Sequence, residues 1–195
     1  LLPVLSHKST KIQSYQREIS NRNINIISRF PQRNLYFTGC SQDLIVRANV
    51  PGKWFAIHNT LEFDKFDTQV QLKQNAPLIF LGRIERIKGA HTAIKVAKET
   101  GNKLIIAGNI SKLPEEIDYY NNEIKPHIDG ITVQFVGEVN DAQKNSYLGM
   151  AKALLMPIEW NEPFGIVMIE AMACGTPVIA FNKGSVPEVV ENGLT

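Results

Sequence analysis

Glu162-Pro163-Phe164-Gly165-Ile166-Val167-Met168-Ile169-Glu170 is the stretch whose reading decides the fold. It lies between a short, wholly apolar run, Ala153-Leu154-Leu155-Met156, and a helix end written Ala173-Cys174-Gly175-Thr176-Pro177. Gly just past a helix and Pro soon after it are stop signals. The pattern predicts a strand at 153–156 and a helix over 164–173 that starts at the strand's carboxyl end. Pro163 suits the first helical turn, where its missing N–H is no loss. Glu162 would then sit at the helix mouth, and Glu170 about two turns further in, roughly 10 Å along the axis.

The same alternation extends outward. Strands are predicted at 78–81, 103–107, 132–136, 153–156 and 178–181, with helices at 89–98, 114–127, 141–151 and 164–173. Ala90, Ala93, Ile94 and Ala97 share one helical face. Short apolar strands separated by helices imply a parallel sheet covered on both faces. Right-handed crossovers make it doubly wound and Rossmann-like, with ligands at the carboxyl ends of its strands. Residues 62–76 are polar and read as a linker. Residues 1–60 read as a strand at 2–5, a helical region at 15–28, a strand at 35–39, a helical turn at 42–49 and a strand at 54–58. The expected organisation is α/β with two Rossmann-like, doubly wound domains. Residues 1–62 are the end of the first, 63–76 the linker, and 77–195 most of the second, truncated at its C-terminus.

Composition narrows the function classes. The chain has 195 residues, 44% hydrophobic and 21% charged, with 21 Lys+Arg against 19 Asp+Glu. That is ordinary globular composition, and the small positive excess does not point to nucleic acid. No apolar run approaches the roughly 18–20 residues of a membrane span. Cys40 and Cys174 have neither metal-ligand spacing nor a disulfide framework, so a reducing compartment is the default reading. Asp-x-Asp, Gly-x-Ser-x-Gly, His-Glu-x-x-His and Gly-x-Gly-x-x-Gly are all missing, so hydrolase, zinc protease and dehydrogenase readings lack support.

The N-terminal N–H groups of a helix are unpaired and favour an anion. Glu162 and Glu170 would flank such a site. Two acceptor-only side chains on either side of a phosphate suit a ligand with hydroxyls at both ends, the shape of a nucleotide sugar. Alternatively, Glu162 offsets the helix dipole and Glu170 is solvated. Among Ile166, Val167, Met168, Ile169, Ala171, Met172 and Ala173, however, a carboxylate needs a partner. Gly82-Arg83-Ile84-Glu85-Arg86-Ile87-Lys88-Gly89 follows a strand and opens a helix, but it lacks the second Gly and the final Ser or Thr of a phosphate loop. Arg83 and Lys88 would still stand at the ligand edge, as a diphosphate cradle or as a solvated basic loop. His7 follows the predicted strand at 2–5 and could be structural or functional.

Together these residues resemble glycosyltransferase family 4, the group 1 type of retaining enzymes with the GT-B fold. The resemblance is carried by the Glu-Pro-Phe-Gly…Glu segment and by Phe80-Leu81-Gly82-Arg83 with Lys88-Gly89. Residues 173–180 followed by Gly184-Ser185-Val186-Pro187-Glu188, and His58-Asn59 with Phe66, add to it. The stretch Asn59-Thr60-Leu61-Glu62 departs from the family's usual Asn-Gly-Val-Asp.

The resemblance implies that Arg83 and Lys88 hold the donor diphosphate and that Glu162 binds the hexose. It implies that Phe164, Gly165 and Ile166 present backbone amides, that Glu170 binds the ribose, that Val139 borders the base, and that His7 contacts the sugar. It implies a metal-independent transfer from a UDP- or GDP-sugar, with no cofactor. The acceptor, whether sugar, lipid or small molecule, would lie on the first domain. A cytoplasmic protein is expected, at the inner membrane surface if the acceptor is a lipid, and as a fragment it is expected to be inactive alone. Two other readings stay open: a GT-B nucleotide-sugar epimerase, and a non-catalytic nucleotide-sugar-binding module.

Overall fold

The computed structural model describes residues 9–20, 22, 24–25, 34–68 and 74–195. The predicted strand at 2–5 and His7 lie outside them. The elements are β1 Lys11–Tyr15, β2 Leu35–Gly39, α1 Gln42–Ala48, β3 Trp54–Ala56, β4 Leu78–Leu81, α2 Ala90–Glu99, β5 Leu104–Ala107, α3 Pro114–Tyr119, β6 Val133–Gly137, α4 Asp141–Met150, β7 Ala153–Met156, α5 Ile166–Ala173, β8 Val178–Ala180 and α6 Val186–Val189. They form two parallel sheets, one in the order β1-β2-β3 and one in the order β6-β5-β4-β7-β8. This is the Rossmann-like, GT-B-type α/β architecture.

Residues alternate between the two faces of the second sheet, as the pleat requires. Leu78, Phe80, Leu104, Ile106 and Leu155 pack with Ala90, Ala93, Ile94 and Ala97 of α2. Ile79, Ile105, Leu154 and Met156 pack on the other face with Leu148 of α4 and Met168 and Ala171 of α5. Strand order reverses between β4 and β7, which makes that junction the topological switch point, the usual ligand crevice of such sheets.

Several sequence expectations need correction. The helical region at 15–28 begins too early, because Tyr15 closes strand β1. In that strand Ile12 faces solvent, so no apolar alternation marks it. The helix at 114–127 is α-helical only to Tyr119. It loosens into a π turn over Tyr120–Ile124 and a 3-10 turn over Lys125–His127, where Pro126 removes an N–H. The helix at 164–173 starts at Ile166, with Gly165 as its N-cap, so Pro163 and Phe164 precede it.

The Phe164 side chain is withdrawn from the helix face into a core shared with the first sheet. There it meets Ile19, Ile24, Cys40 and Leu44, and its ring centroid lies 5.7 Å from that of His58. Cys40 Sγ donates to the Pro163 carbonyl (3.4 Å), and Arg47 Nη2 to the Asn161 carbonyl (3.4 Å). Glu188 accepts from the N–H groups of Gln42 (2.7 Å) and Asp43 (2.6 Å) and lies 3.1 Å from His58 Nε2. The two sheets are therefore joined through the segment that carries Glu162.

Candidate functional site

The loop after β4 and the loop after β7 meet at the switch point. The backbone approach there is close. Gly89 has φ +77°, and a Cβ on it would lie 2.0 Å from the Pro157 carbonyl oxygen, so only glycine fits. The Glu159 N–H donates to the Ile87 carbonyl (2.8 Å), and Glu159 Oε1 lies 3.0 Å from His91 Nε2. The other ring nitrogen of His91 is 2.9 Å from the Tyr119 hydroxyl, and burial pushes the Tyr119 phenol up to about 12. Residues 86–91 and 157–160 thus form one braced unit.

Between these loops lies a cavity of about 200 Å³, lined by Phe80, Gly82, Arg83, Lys88, Leu155, Met156, Glu162, Gly165, Ile166 and their neighbours. Lys88 Nζ is 2.5 Å from Glu162 Oε2, with side chains 17% and 15% exposed. Trp160 Nε1 donates to the same oxygen (2.9 Å), and Lys88 Nζ lies 5.1 Å from the centre of the Trp160 ring. Arg83 is more open, 58% exposed, and pairs with the buried Glu85 (2.7 Å). The N–H groups of Ile166 and Val167 open α5 at the cavity wall and, as first-turn donors, have no intrahelical acceptor.

Glu162 is held from behind. The Ser185 N–H donates to the Glu162 carbonyl (3.1 Å), and Ser185 Oγ to the Phe164 carbonyl (2.8 Å). Gly184, at φ +58°, packs so closely that a Cβ would lie 2.6 Å from the Glu162 backbone nitrogen.

The structure thus brings Arg83, Lys88, Glu162, Gly165 and Ile166 to one cavity. It leaves three expected residues outside that lining. Phe164 is in the inter-sheet core. Val139 is half-buried just before Asn140, the N-cap of α4, whose capping box is completed by Gln143. Glu170 is 12% exposed and finds its partner in Lys144 of α4 (2.7 Å), which also binds Asp141 (3.0 Å). Burial lowers the Lys144 ammonium, but the bonds to Glu170 and Asp141 outweigh it and leave the pKa raised.

Sequence reasoning missed Trp160, Glu85, Lys144 and Glu188. Trp160 stood two positions from Glu162 and could have been noticed. The others act across 26 residues or more, or, like Glu85, inside a loop read as basic. Burial raises both cysteine thiols, which are free and inaccessible. Among the described residues no group of three or more His, Cys, Asp or Glu could hold a metal ion, and no helix is long and apolar enough to cross a membrane.

The family model described as "Glycosyl transferases group 1" matches residues 62–195. A glycogen synthase of Mycobacterium tuberculosis is 34% identical over 125 residues, 62% of this chain and 29% of its own length. Among solved structures, AviGT4, a glycosyltransferase involved in avilamycin A biosynthesis, superposes with TM-score 0.66 at 26% identity, over 79% of this chain and 47% of that one. Anabaena Alr3699/HepE, solved with UDP-glucose, superposes with TM-score 0.76 at 20% identity, over 95% of this chain and 57% of that one.

Proposed function

The chain belongs to the glycosyl transferases group 1 family, and from that premise we propose that it carries the donor half of a retaining, metal-independent glycosyltransferase. In this reading the enzyme moves a sugar from a nucleoside diphosphate sugar to an acceptor hydroxyl. The observation that carries the reading is the convergence of Arg83, Lys88, Glu162 and the start of α5 on one cavity at the switch point. Its volume is below the roughly 300–1,000 Å³ of whole-ligand pockets. It therefore takes the diphosphate and sugar, and the nucleoside lies outside it. Residues 1–62 belong to the acceptor-side domain, 63–76 to the linker and 77–195 to the donor domain.

Breaking the anomeric C–O bond sends its electron pair to the diphosphate oxygen and leaves positive charge on the sugar. Arg83, Lys88 and the N–H groups of Ile166 and Val167 stabilise the first. The Glu162 carboxylate orients the hexose hydroxyls. The acceptor oxygen attacks the same face, and its proton passes to the departing phosphate oxygen. Glu170 is assigned to the ribose and Val139 to the base edge. A diphosphate competes with Glu162 for Lys88, so donor binding splits the ion pair.

Calorimetry on the full-length protein tests the division of labour, using whichever of UDP, GDP or ADP, and the matching glucose ester, stabilises it in a thermal-shift screen. Glu170→Ala is expected to weaken the free diphosphate and the sugar donor alike. Glu162→Ala is expected to weaken the sugar donor relative to the free diphosphate by roughly 10- to 150-fold, the worth of a hydrogen bond to a charged group, while the free diphosphate binds as well as before or tighter, because Lys88 no longer has an ion pair to give up. Equal losses for both ligands in Glu162→Ala would show the roles to be wrong.

A further inference from the structure

Resting on the donor-site reading, we infer that Trp160 is a positioning residue that keeps Glu162 in place when the diphosphate draws Lys88 away. One carboxylate oxygen, Glu162 Oε2, accepts from both Lys88 Nζ (2.5 Å) and Trp160 Nε1 (2.9 Å). The ammonium also stands 5.1 Å from the indole centroid, within the range at which a ring face attracts a cation. The three groups form a closed triangle, of which Lys88 and Glu162 line the cavity.

The indole is the fixed member of that triangle. Its neighbour Glu159 is tied to the Ile87 carbonyl and to His91. The ring itself packs on the core built from Met156, Ile158 and Met168. Lys88 reaches Glu162 on a four-carbon stem and can turn to a phosphate oxygen without backbone movement. When it turns, a carboxylate that is only 15% exposed loses its cation. A carboxylate short of partners turns toward water to recover hydrogen bonds, which leaves diphosphate binding little changed but takes the carboxylate out of reach of the sugar. The Trp160 N–H is the donor that stays. It holds Oε2 where the Lys88 pair had held it, and Oε1 is directed to the sugar hydroxyls. The ring face keeps the ammonium near both partners, so the exchange between carboxylate and phosphate is short. Glu162 then meets the sugar after the diphosphate has been seated, and the indole sets that order.

The test uses the full-length protein. Trp160→Phe keeps an aromatic face over Lys88 and removes only the N–H. Calorimetry should show its affinity for the free nucleoside diphosphate within about twofold of wild type. That result also certifies an intact fold. Its affinity for the nucleotide sugar should fall by roughly tenfold or more, as for a lost bond to a charged acceptor. In the wild-type protein, the indole N–H resonance of Trp160 should stay protected from solvent exchange at saturating diphosphate. A merely packed indole would give a Trp160→Phe variant that binds both ligands as wild type does, or both equally worse. Either result overturns the inference, as does an indole N–H that becomes exchangeable on diphosphate binding. The resonance is read on the wild type, so the inference can be judged even if the variant is unstable. If the wild type binds neither the diphosphates nor their sugars, the donor-site reading falls and the role of Trp160 with it.

Discussion

Removing the Glu188 carboxylate should loosen the join between the two sheets, and the structure sets the size of the effect. Helix α1 begins at Gln42, and its first N–H groups have no partners within the helix. Ser41 Oγ accepts from Leu44 (3.1 Å), while Glu188, about 145 residues further along the chain, accepts from Gln42 and Asp43 at 2.7 and 2.6 Å. Each such bond to a charged acceptor is worth about 1.5 kcal/mol at the low end. The negative charge at a helix N-terminus adds about 0.3–1 kcal/mol. Gln42 is exposed, so water recovers part of the loss, and the net for Glu188→Ala is about 2–3 kcal/mol. For a cooperative unit of about 150–250 residues that lowers Tm by roughly 4–12 °C. Glu188→Gln keeps one acceptor oxygen and should lose about half as much. Thermal unfolding reads the shift, and amide hydrogen exchange at Gln42 and Asp43 reads its location. A Tm within about 1 °C of wild type, with unchanged exchange at those two amides, would refute the argument.

Gly89→Ala places a Cβ against the Pro157 carbonyl at a backbone φ of +77°. The left-handed conformation alone costs about 1–2 kcal/mol, and relieving the clash must shift Lys88. Lower stability in chemical denaturation together with weaker diphosphate binding is expected, and wild-type values for both would contradict it. Asp129 accepts from the N–H groups of Val133, Ile131 and Thr132, which lower its carboxyl to about 2. The unfolded value is about 3.9, so its contribution is present above about pH 4 and is lost as pH falls from there toward 2. NMR titration of Asp129 should give the low midpoint, Asp129→Asn should flatten that limb of the stability curve, and an ordinary midpoint near 4 would rule the account out.

Much of the second sheet was legible because local chemistry and the final packing agree. The runs at 78–81 and 153–156 are wholly apolar, and their short length, with Pro77 and Gly82 flanking one and Pro157 closing the other, favours a buried strand over a helix. The need of Glu170 for a partner among apolar neighbours was legible in the same way, and Lys144 meets it. Strand β1 was missed because its outward residue is Ile12 and its half-buried residues include Lys11 and Gln13, so it carries no amphipathic period.

What the sequence alone determined is which chemical groups are present and, through apolar periodicity, which sheet edge they reach. What only the tertiary structure decided is who meets whom. Helix α5 starts at Ile166 and not two residues earlier because Cys40 and Ser185 bind the carbonyls of Pro163 and Phe164, and because the Phe164 ring is claimed by a core shared with the first sheet. Lys88 meets Glu162 at a sequence separation of 74, Lys144 meets Glu170 at a separation of 26, and Glu188 caps a helix that begins 146 residues before it. No local propensity encodes these pairings. They form because the reversal of strand order between β4 and β7 carries two loops to one crevice, where desolvated charges must find each other.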